Sequence, residues 1–531
     1  GTEVRAGAHV EAGSTVTGVK PVKKGARWAG SPARKVGKSG KTAAVFPDQR
    51  PPRRGYWVVL YALAALLLAA LPIVAAAAGV WVGVALLAGG WLGFAASAAV
   101  GGLVYFFVSL LLTWVFVCLA QLAVRPGTHP VRSVSGWGLW MVVRLLDDSR
   151  YRYFPLYASL LTPLWFRSLG ATIGKGAEIS TAVMVPKLSD VRDSSFLADD
   201  TLLGAYELSG GWVHCAPASV GRRSFLGNSG IVAPGRKLAK KSLVAVLSSA
   251  PRKSKAESNW WGSPPERMRR VAVAAEGGDA ATFEPTFGMK ARRGFVETLR
   301  LLAPAVHGML YALFALGVAS MLDLLGSWGL GGGGSLGGSG VLGGAVLVVV
   351  ALLLGGVLWM AVGAVALLVT VLFKWILVRR HKAGEHPLYS WFVWLNELQD
   401  QFVEMIAAPW FFNWAGGSGA MNVALRLLGV NVGRGAWIES YWFPETDLCT
   451  VGSGATVGPG TVVQTHLFQD RVMSLDAVTI GSGATLGLNS VILPGATIEA
   501  GATIGPGSLV MRGDTIPTNT QWQGNPVEPV R

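Results

Sequence analysis

The stretch VVQTHLFQDRVM at 462–473 sets a histidine, His466, four residues before the charged pair Asp470–Arg471. An imidazole titrates near neutral pH. It can take a proton from an amine or hydroxyl as that group attacks an acyl ester or thioester, and a neighbouring carboxylate can orient it. His466, Asp470 and Arg471 are therefore the candidate catalytic residues. The plainer alternative is a solvated loop histidine beside a surface ion pair. The stretch also breaks a regular pattern: Val451, Val457 and Val463 stand six apart, yet the next register opens at Ile480, and 480 − 463 = 17 rather than 18. An excursion from a regular solenoid is where repeat scaffolds carry function.

A second copy of this region fits less well. Matching RRSFLGNSGIVAPG (222–235) to SGATLGLNSVILPG (482–495) gives an offset of 482 − 222 = 260, which sets Tyr206 where the other copy has His466. The nearest histidine, His214 in GGWVHCAP, comes eight residues later. Tyr206, Glu207 and His214 form a reserve group, with a structural role the simpler reading of His214. The middle copy is then degenerate, or those residues do something else. His129 and His386, in the repeated GTHP and GEHP, read as a helix stop and turn; His9, His307 and His381 receive no role. Cys118, Cys215 and Cys449 lie far apart without a CxxC, so neither a disulfide framework nor a metal site is expected. GKSGKT (37–42) has Lys35 where a phosphate loop needs its first glycine, and it opens no helix.

The elements that would position these residues show as a six-residue period. Ile480, Leu486, Ile492, Ile498, Ile504, Val510 and Ile516 recur at that spacing; so do Val220, Leu226, Val232, Leu238 and Val244, and Val4, Val10, Val16 and Val22. One inward aliphatic per hexapeptide, with small neighbours, reads as a parallel β-helix of about 18 residues per coil. Each run stops just before a repeated phrase: RWAGSP at 27–32, WWGSPP at 260–265 and WQGNPV at 522–527. Gly and Pro together end a ladder, so the phrase closes three β-helix domains.

Charged residues make up only 14% of the chain, against roughly 25% in a soluble domain, and 51% are apolar. The apolar blocks 56–124 and 301–378 each suit two membrane spans of about 20 residues. Gly-rich turns are expected at 79–93 and 326–340. Basic residues flank the blocks: Arg50, Arg53, Arg54, Arg125 and Arg132 around the first, and Arg292, Arg293, Arg300, Lys374, Arg379, Arg380 and Lys382 around the second. That pattern places every β-helix domain on the cytoplasmic side. The net charge of +16 arrives without a nucleic-acid-binding motif, so no nucleic-acid partner is expected. The basic linker with Arg252, Lys253, Lys255, Arg267, Arg269 and Arg270 reads as a solvated segment near the membrane.

The expected organisation is a multidomain membrane protein whose tandem β-helix domains alternate with transmembrane hairpins. It comprises the last coils of a first β-helix (1–36), a basic linker (37–55), a hairpin (56–124), an amphipathic connector (125–168) and a second β-helix (169–265). A basic linker (266–300), a hairpin (301–378), a connector (379–428) and a third β-helix (429–531) follow. The chain opens at Gly1 in mid-pattern, so it is expected to be the C-terminal part of something longer.

The hexapeptide runs and the Gly-Ser/Asn-Pro closure resemble left-handed β-helix (hexapeptide-repeat) acyltransferases. The order of parts, with QTHLFQDRVM and LADDTLLGAYELSGGW (197–212), is similar to the C-terminal membrane region of single-module peptide synthetase-like proteins of the epsilon-poly-lysine synthetase type. That resemblance covers essentially the whole chain. It implies upstream adenylation and carrier domains, and a phosphopantetheine-linked aminoacyl thioester (or a coenzyme A thioester) as donor. It also implies an amino acid or amine acceptor, with His466 as the base. Trp522, Gly524, Asn525, Pro526 and Asn489 are then candidate carrier or substrate contacts. The three β-helices could pack as an internal pseudo-trimer, or the chain could form a homo-oligomer. The implied setting is a bacterial-type cell membrane crossed several times. Competing readings are a carrier-docking scaffold with an export path and no catalysis, or a coenzyme A-dependent O- or N-acetyltransferase.

Overall fold

The computed structural model describes every residue except 1, 12, 17–19, 40–45, 48, 53, 88, 271–275, 328–340 and 531. Helices α1 (Tyr56–Ala85) and α2 (Gly90–Gln121) form an apolar hairpin, followed by α3 (Val134–Arg152) and α4 (Thr162–Ser168). After the second β-helix come α5 (Phe287–Leu299), α6 (Leu302–Ser327), α7 (Val341–Leu377) and α8 (Trp391–Phe402). A π-helical stretch, Val403–Phe412, continues α8. Four segments are long and apolar enough to cross a membrane: Tyr56–Ala85, Gly90–Gln121, Phe287–Gly326 and Val348–Leu377. The first turn is tighter than the glycines suggest, since α1 runs to Ala85 and α2 begins at Gly90. Arg53, Gly40–Thr42 of GKSGKT and residues 328–340 of the second turn lie outside the described residues.

The two helical blocks touch each other at Gly102 and Gly308. A Cβ on Gly102 would lie 2.9 Å from the Gly308 Cα, and one on Gly308 would lie 2.7 Å from the Gly102 Cα. Only glycine lets two helix backbones approach so closely.

The hexapeptide runs wind as parallel coils. In the second β-helix Ile173, Val191, Val220 and Leu238 stack on one face, and Ile179, Leu197, Leu226, Val244 and Trp260 on the next. Met184, Leu203 and Val232 form the third column. The third β-helix repeats this with Val432, Val451, Ile480, Ile498 and Ile516 on the first face and Ile438, Val457, Leu486, Ile504 and Trp522 on the second. Almost every one of these aliphatics is buried, and each contributes about 1.5–3 kcal/mol relative to exposure. Successive residues in a column are usually 18 apart, but 220 − 191 and 480 − 451 are both 29. The break near 466 is thus an 11-residue insertion into one coil. Val463 and Ile480 stand on different faces, so their spacing of 17 measured nothing about register.

Each insertion is a β-hairpin. In the third β-helix His466–Gln469 pairs with Val472–Leu475; in the second, Tyr206–Ser209 pairs with Trp212–Cys215. The turns hold positive φ at both central residues, Asp470 (49°) and Arg471 (63°) in one and Gly210 (59°) and Gly211 (89°) in the other. Such angles match the twist of a two-residue hairpin loop. A third antiparallel strand joins each hairpin, and it comes from the repeated His-Pro phrases: Gly384–Pro387 pairs with Val472–Leu475, and Gly127–Pro130 with Trp212–Cys215. Those phrases are strands, not merely turns, because the hairpin edge offers backbone groups that need partners.

The three closing phrases also form hairpins: Ala26–Ala29 with Arg34–Lys38, Asn259–Trp261 with Glu266–Met268, and Gln521–Gly524 with Val527–Pro529. They meet one another. Asn525 N donates to Ser31 O at 2.9 Å, and the Asn525 side-chain amide donates to Leu247 O at 2.7 Å. Ser31 Oγ donates to Gly507 O at 2.7 Å. A Cβ on Gly30 would sit 3.6 Å from Ser263 O, and one on Gly262 would sit 3.5 Å from Asn525 O. Each phrase thus abuts the other two. Val246 of the second β-helix packs with Val491, Leu493 and Leu509 of the third in a small apolar cluster.

Three of the basic residues expected to flank the spans are buried in ion pairs instead. Arg293 meets Glu178 (3.2 Å) and Glu297 (2.7 Å), Arg300 meets Glu397 (2.7 Å), and Lys374 meets Asp447 (2.8 Å). Arg293 ties α5 to the second β-helix and Lys374 ties α7 to the third, whereas Arg300 ties the start of α6 to α8.

Candidate active site

His466 opens its hairpin, so its ring lies at the base, where the hairpin leaves the coil, and not at the tip. Glu445 comes up beneath it from the preceding coil. That coil is one residue longer than its counterpart: 438 − 179 = 259, but 451 − 191 = 260. The added residue falls in the irregular segment between Ile438 and Cys449 from which Glu445 projects.

His466 Nδ1 lies 2.9 Å from both carboxylate oxygens of Glu445. Glu445 is fully buried and accepts two further bonds, from Asn396 Nδ2 (2.9 Å) and Thr465 Oγ1 (2.6 Å). Because a carboxylate only accepts, Nδ1 carries the hydrogen, which leaves Nε2 to take a proton. The Gln464 amide nitrogen stands 3.0 Å from Nε2. Burial pushes Glu445 up, but the charge and hydrogen bond of His466 outweigh it and bring the carboxyl down to about 2. Burial by itself would depress His466; the Glu445 charge and hydrogen bond hold it up at about 9.

The ring faces a cavity of about 250 Å³ between the second and third β-helices. Glu178, Asp199 and Asp200 line it from the second β-helix, Tyr441 and Phe468 from the third, and Glu397, Asp400 and Glu404 from α8 and its π-helical continuation. Most of these acids have partners. Arg293 serves Glu178, Arg300 serves Glu397, and Arg150 serves Asp200. Asp199 accepts from Ser180 and Thr181. Asp400 has no hydrogen bond or ion pair through its side chain among the described residues; burial and the Glu445 charge raise its pKa well above the carboxylate range. Glu404 accepts from the Tyr441 hydroxyl at 3.1 Å, and burial brings its pKa to about 7. Apart from Asp199, the acids lining the cavity are therefore either paired with arginines or held toward their protonated forms by burial.

The other sequence candidates lie elsewhere. Asp470, at the hairpin tip, pairs with Arg270 and does not touch His466. Arg471 is 1% exposed, and it donates to the backbone carbonyls of Gly176, Ser195 (3.4 Å) and Thr282 (3.2 Å) while lying over the Phe283 ring. It anchors the hairpin to the second β-helix. Trp522, Gly524, Asn525 and Pro526 sit in the closing hairpin, where Asn525 bonds across to the other β-helices. Asn489 turns a coil corner at φ 53°, outside the cavity lining.

In the second β-helix Tyr206 opens its hairpin as His466 does, paired with Cys215. The residue matching Glu445 is Val185, since 445 − 260 = 185 and 466 − 260 = 206. Neither half of the dyad is present there. His214 faces Glu207 across the hairpin and bonds Thr128 through Nδ1 at 3.0 Å.

No family model matches the chain. It is 31% identical over 411 residues to the delta-poly-L-ornithine synthetase of Acinetobacter baumannii, covering 76% of this chain and 29% of that protein. The chain thus spans less than a third of the length of this curated relative. Solved structures with partial likeness include a galactoside acetyltransferase in complex with coenzyme A (22% identity, 23% of this chain and 74% of that one, TM-score 0.20). Another is the soybean serine acetyltransferase apoenzyme (16% identity, 32% of this chain and 76% of that one, TM-score 0.17).

Proposed function

We propose that this chain, 31% identical over 411 residues to the delta-poly-L-ornithine synthetase, works as the peptide synthetase-like proteins do and forms amide bonds between amino acids. The donor is an aminoacyl thioester held on a carrier domain, and the acceptor is an amine. The acceptor nitrogen attacks the thioester carbonyl, and His466 Nε2 takes the proton that the nitrogen sheds. The C–S bond then breaks, and the thiolate leaves with that proton. Glu445 keeps Nδ1–H facing it and balances the imidazolium that forms in between. The observation that carries this reading is the buried Glu445–His466 dyad opening on a cavity between two β-helices. Asp400, which burial and the Glu445 charge hold protonated, gives up its proton to solvent when an acceptor's second ammonium group lies beside it, and then supplies the counter-charge.

The four apolar segments cross the membrane in this reading, with the β-helices on the cytoplasmic side beside the carrier. A second activity, passage of product into the membrane region, has one observation in its favour. A cavity of about 1260 Å³ among α1, α2, α6 and the π-helical stretch shares Tyr151, Glu404 and Tyr441 with the cavity at His466.

The test is a transfer assay in detergent with an aminoacyl-loaded carrier and free amino acid. Amide product falls by about 10²-fold or more in His466→Ala if the ring is the base. Equal product from both proteins rejects the assignment.

A further inference from the structure

Glu445 belongs to a longer chain of buried polar groups that ends at a membrane-segment helix. Asn396 on α8 is 2% exposed; its Nδ2 reaches Glu445, and its Oδ1 lies 3.0 Å from His381 Nε2. His381 is 4% exposed, and its Nδ1 lies 2.9 Å from Asp447 Oδ2, which also accepts the His381 backbone N–H at 3.0 Å. The same oxygen meets Lys374 Nζ, in the last turn of α7, at 2.8 Å.

The donor pattern of this chain is determined by its two ends. Asp447 and Glu445 are acceptors only, so His381 Nδ1 donates to the first and an Asn396 N–H must face the second. That leaves Asn396 Oδ1 toward His381, whose Nε2 must then donate as well. If His381 Nε2 offered no hydrogen, the amide would gain by turning over, and its oxygen would confront the Glu445 carboxylate. Two acceptors would then face each other in a site closed to water.

We propose that His381 is a positioning residue for the His466 dyad: by donating to Asn396 it holds the amide so that Asn396 donates to Glu445. This rests on the reading of His466 as the base, but its test does not. The charged groups facing the dyad are Asp400 from α8 and Asp199 from the second β-helix around His466, with His381 itself near Glu445. Lys374 and Asp447 face His381. Removing the imidazole frees the Asn396 amide to turn and so takes an ordered donor away from Glu445. The carboxylate becomes more basic and grips the His466 proton more tightly.

The readout is the pH dependence of His466 carbethoxylation by diethyl pyrocarbonate on the full chain in detergent, measured by peptide mass spectrometry. It needs no substrate, so failure of the transfer reading and failure of this one are separate results. In His381→Ala the pH of half-maximal reactivity rises by about half a pH unit or more. Asn396→Leu gives a similar rise, and the double variant adds little, because both act through one bond. His381→Gln, whose amide can donate to the same oxygen, returns the midpoint toward wild type. A site merely loosened would admit water and lower the midpoint toward that of a free histidine. An unchanged or lowered midpoint in His381→Ala, or no recovery in His381→Gln, overturns the proposal.

Discussion

Glu445 and His466 are 21 residues apart on successive coils, yet both carboxylate oxygens lie 2.9 Å from one ring nitrogen. The base is therefore fully available only as the pH rises through about 9. In wild type, kcat/KM for transfer should climb along that limb. Glu445→Gln removes the charge that supports the imidazolium, and burial then lowers the pKa of His466. The limb should move to lower pH while the plateau drops by about 10²-fold or more. A pH–rate profile with an unmoved limb would show that Glu445 does not govern the base.

The same dyad confines its own stabilising effect to a pH window. His466 is raised above its ordinary 6.5, so its contribution is complete below that pH and is lost as the pH climbs to about 9. Glu445 is lowered from 4.5, so its contribution is present above 4.5 and is lost as the pH falls toward about 2. The difference in thermal midpoint between wild type and Glu445→Gln should peak between those two ordinary values. A flat difference across pH would contradict the pairing.

Arg471 and Asp470 separate anchoring from catalysis. Arg471→Ala takes the guanidinium from the Gly176 and Thr282 carbonyls, while Ser195 O keeps the Glu178 N–H, and should cost about 2–4 kcal/mol, with faster proteolysis around 466–475. Asp470→Asn breaks a partly exposed ion pair and should cost less than about 1 kcal/mol, with transfer nearly intact. Denaturant titration and limited proteolysis read both. A large loss of turnover in Asp470→Asn without loss of stability would return that carboxylate to the chemistry.

Asp400→Asn should raise the KM for an acceptor bearing a second ammonium by about tenfold, equivalent to roughly 1.4 kcal/mol. A neutral-side-chain amine should change by less than about twofold. Equal rises for both acceptors would mean that Asp400 shapes the cavity without reading charge.

The columns of the β-helices were legible because one aliphatic every six residues is a local pattern. The hairpin insertion was harder to read. Val463 and Ile480 belong to different faces, and its length is reported by steps of 29 within a column, such as Val451 to Ile480. Asp470 was paired with His466 on proximity along the chain, but a two-residue turn carries residues 470 and 471 to the far end of the hairpin. Glu445 left one trace, the growth of the offset between copies from 259 to 260. His381 and Asn396 left none, since the end of α7 and α8 meet the third β-helix only through tertiary packing.

The closing phrases, each set against the other two, bear on how such a protein can change. In a ring of identical subunits a substitution lands three times, and every cleft must tolerate it. Here the three β-helix ends share one covalent chain, so a substitution lands once. One cleft can keep a histidine over a glutamate while the matching positions drift to tyrosine and valine, and the contacts that hold the three ends together need not drift with them.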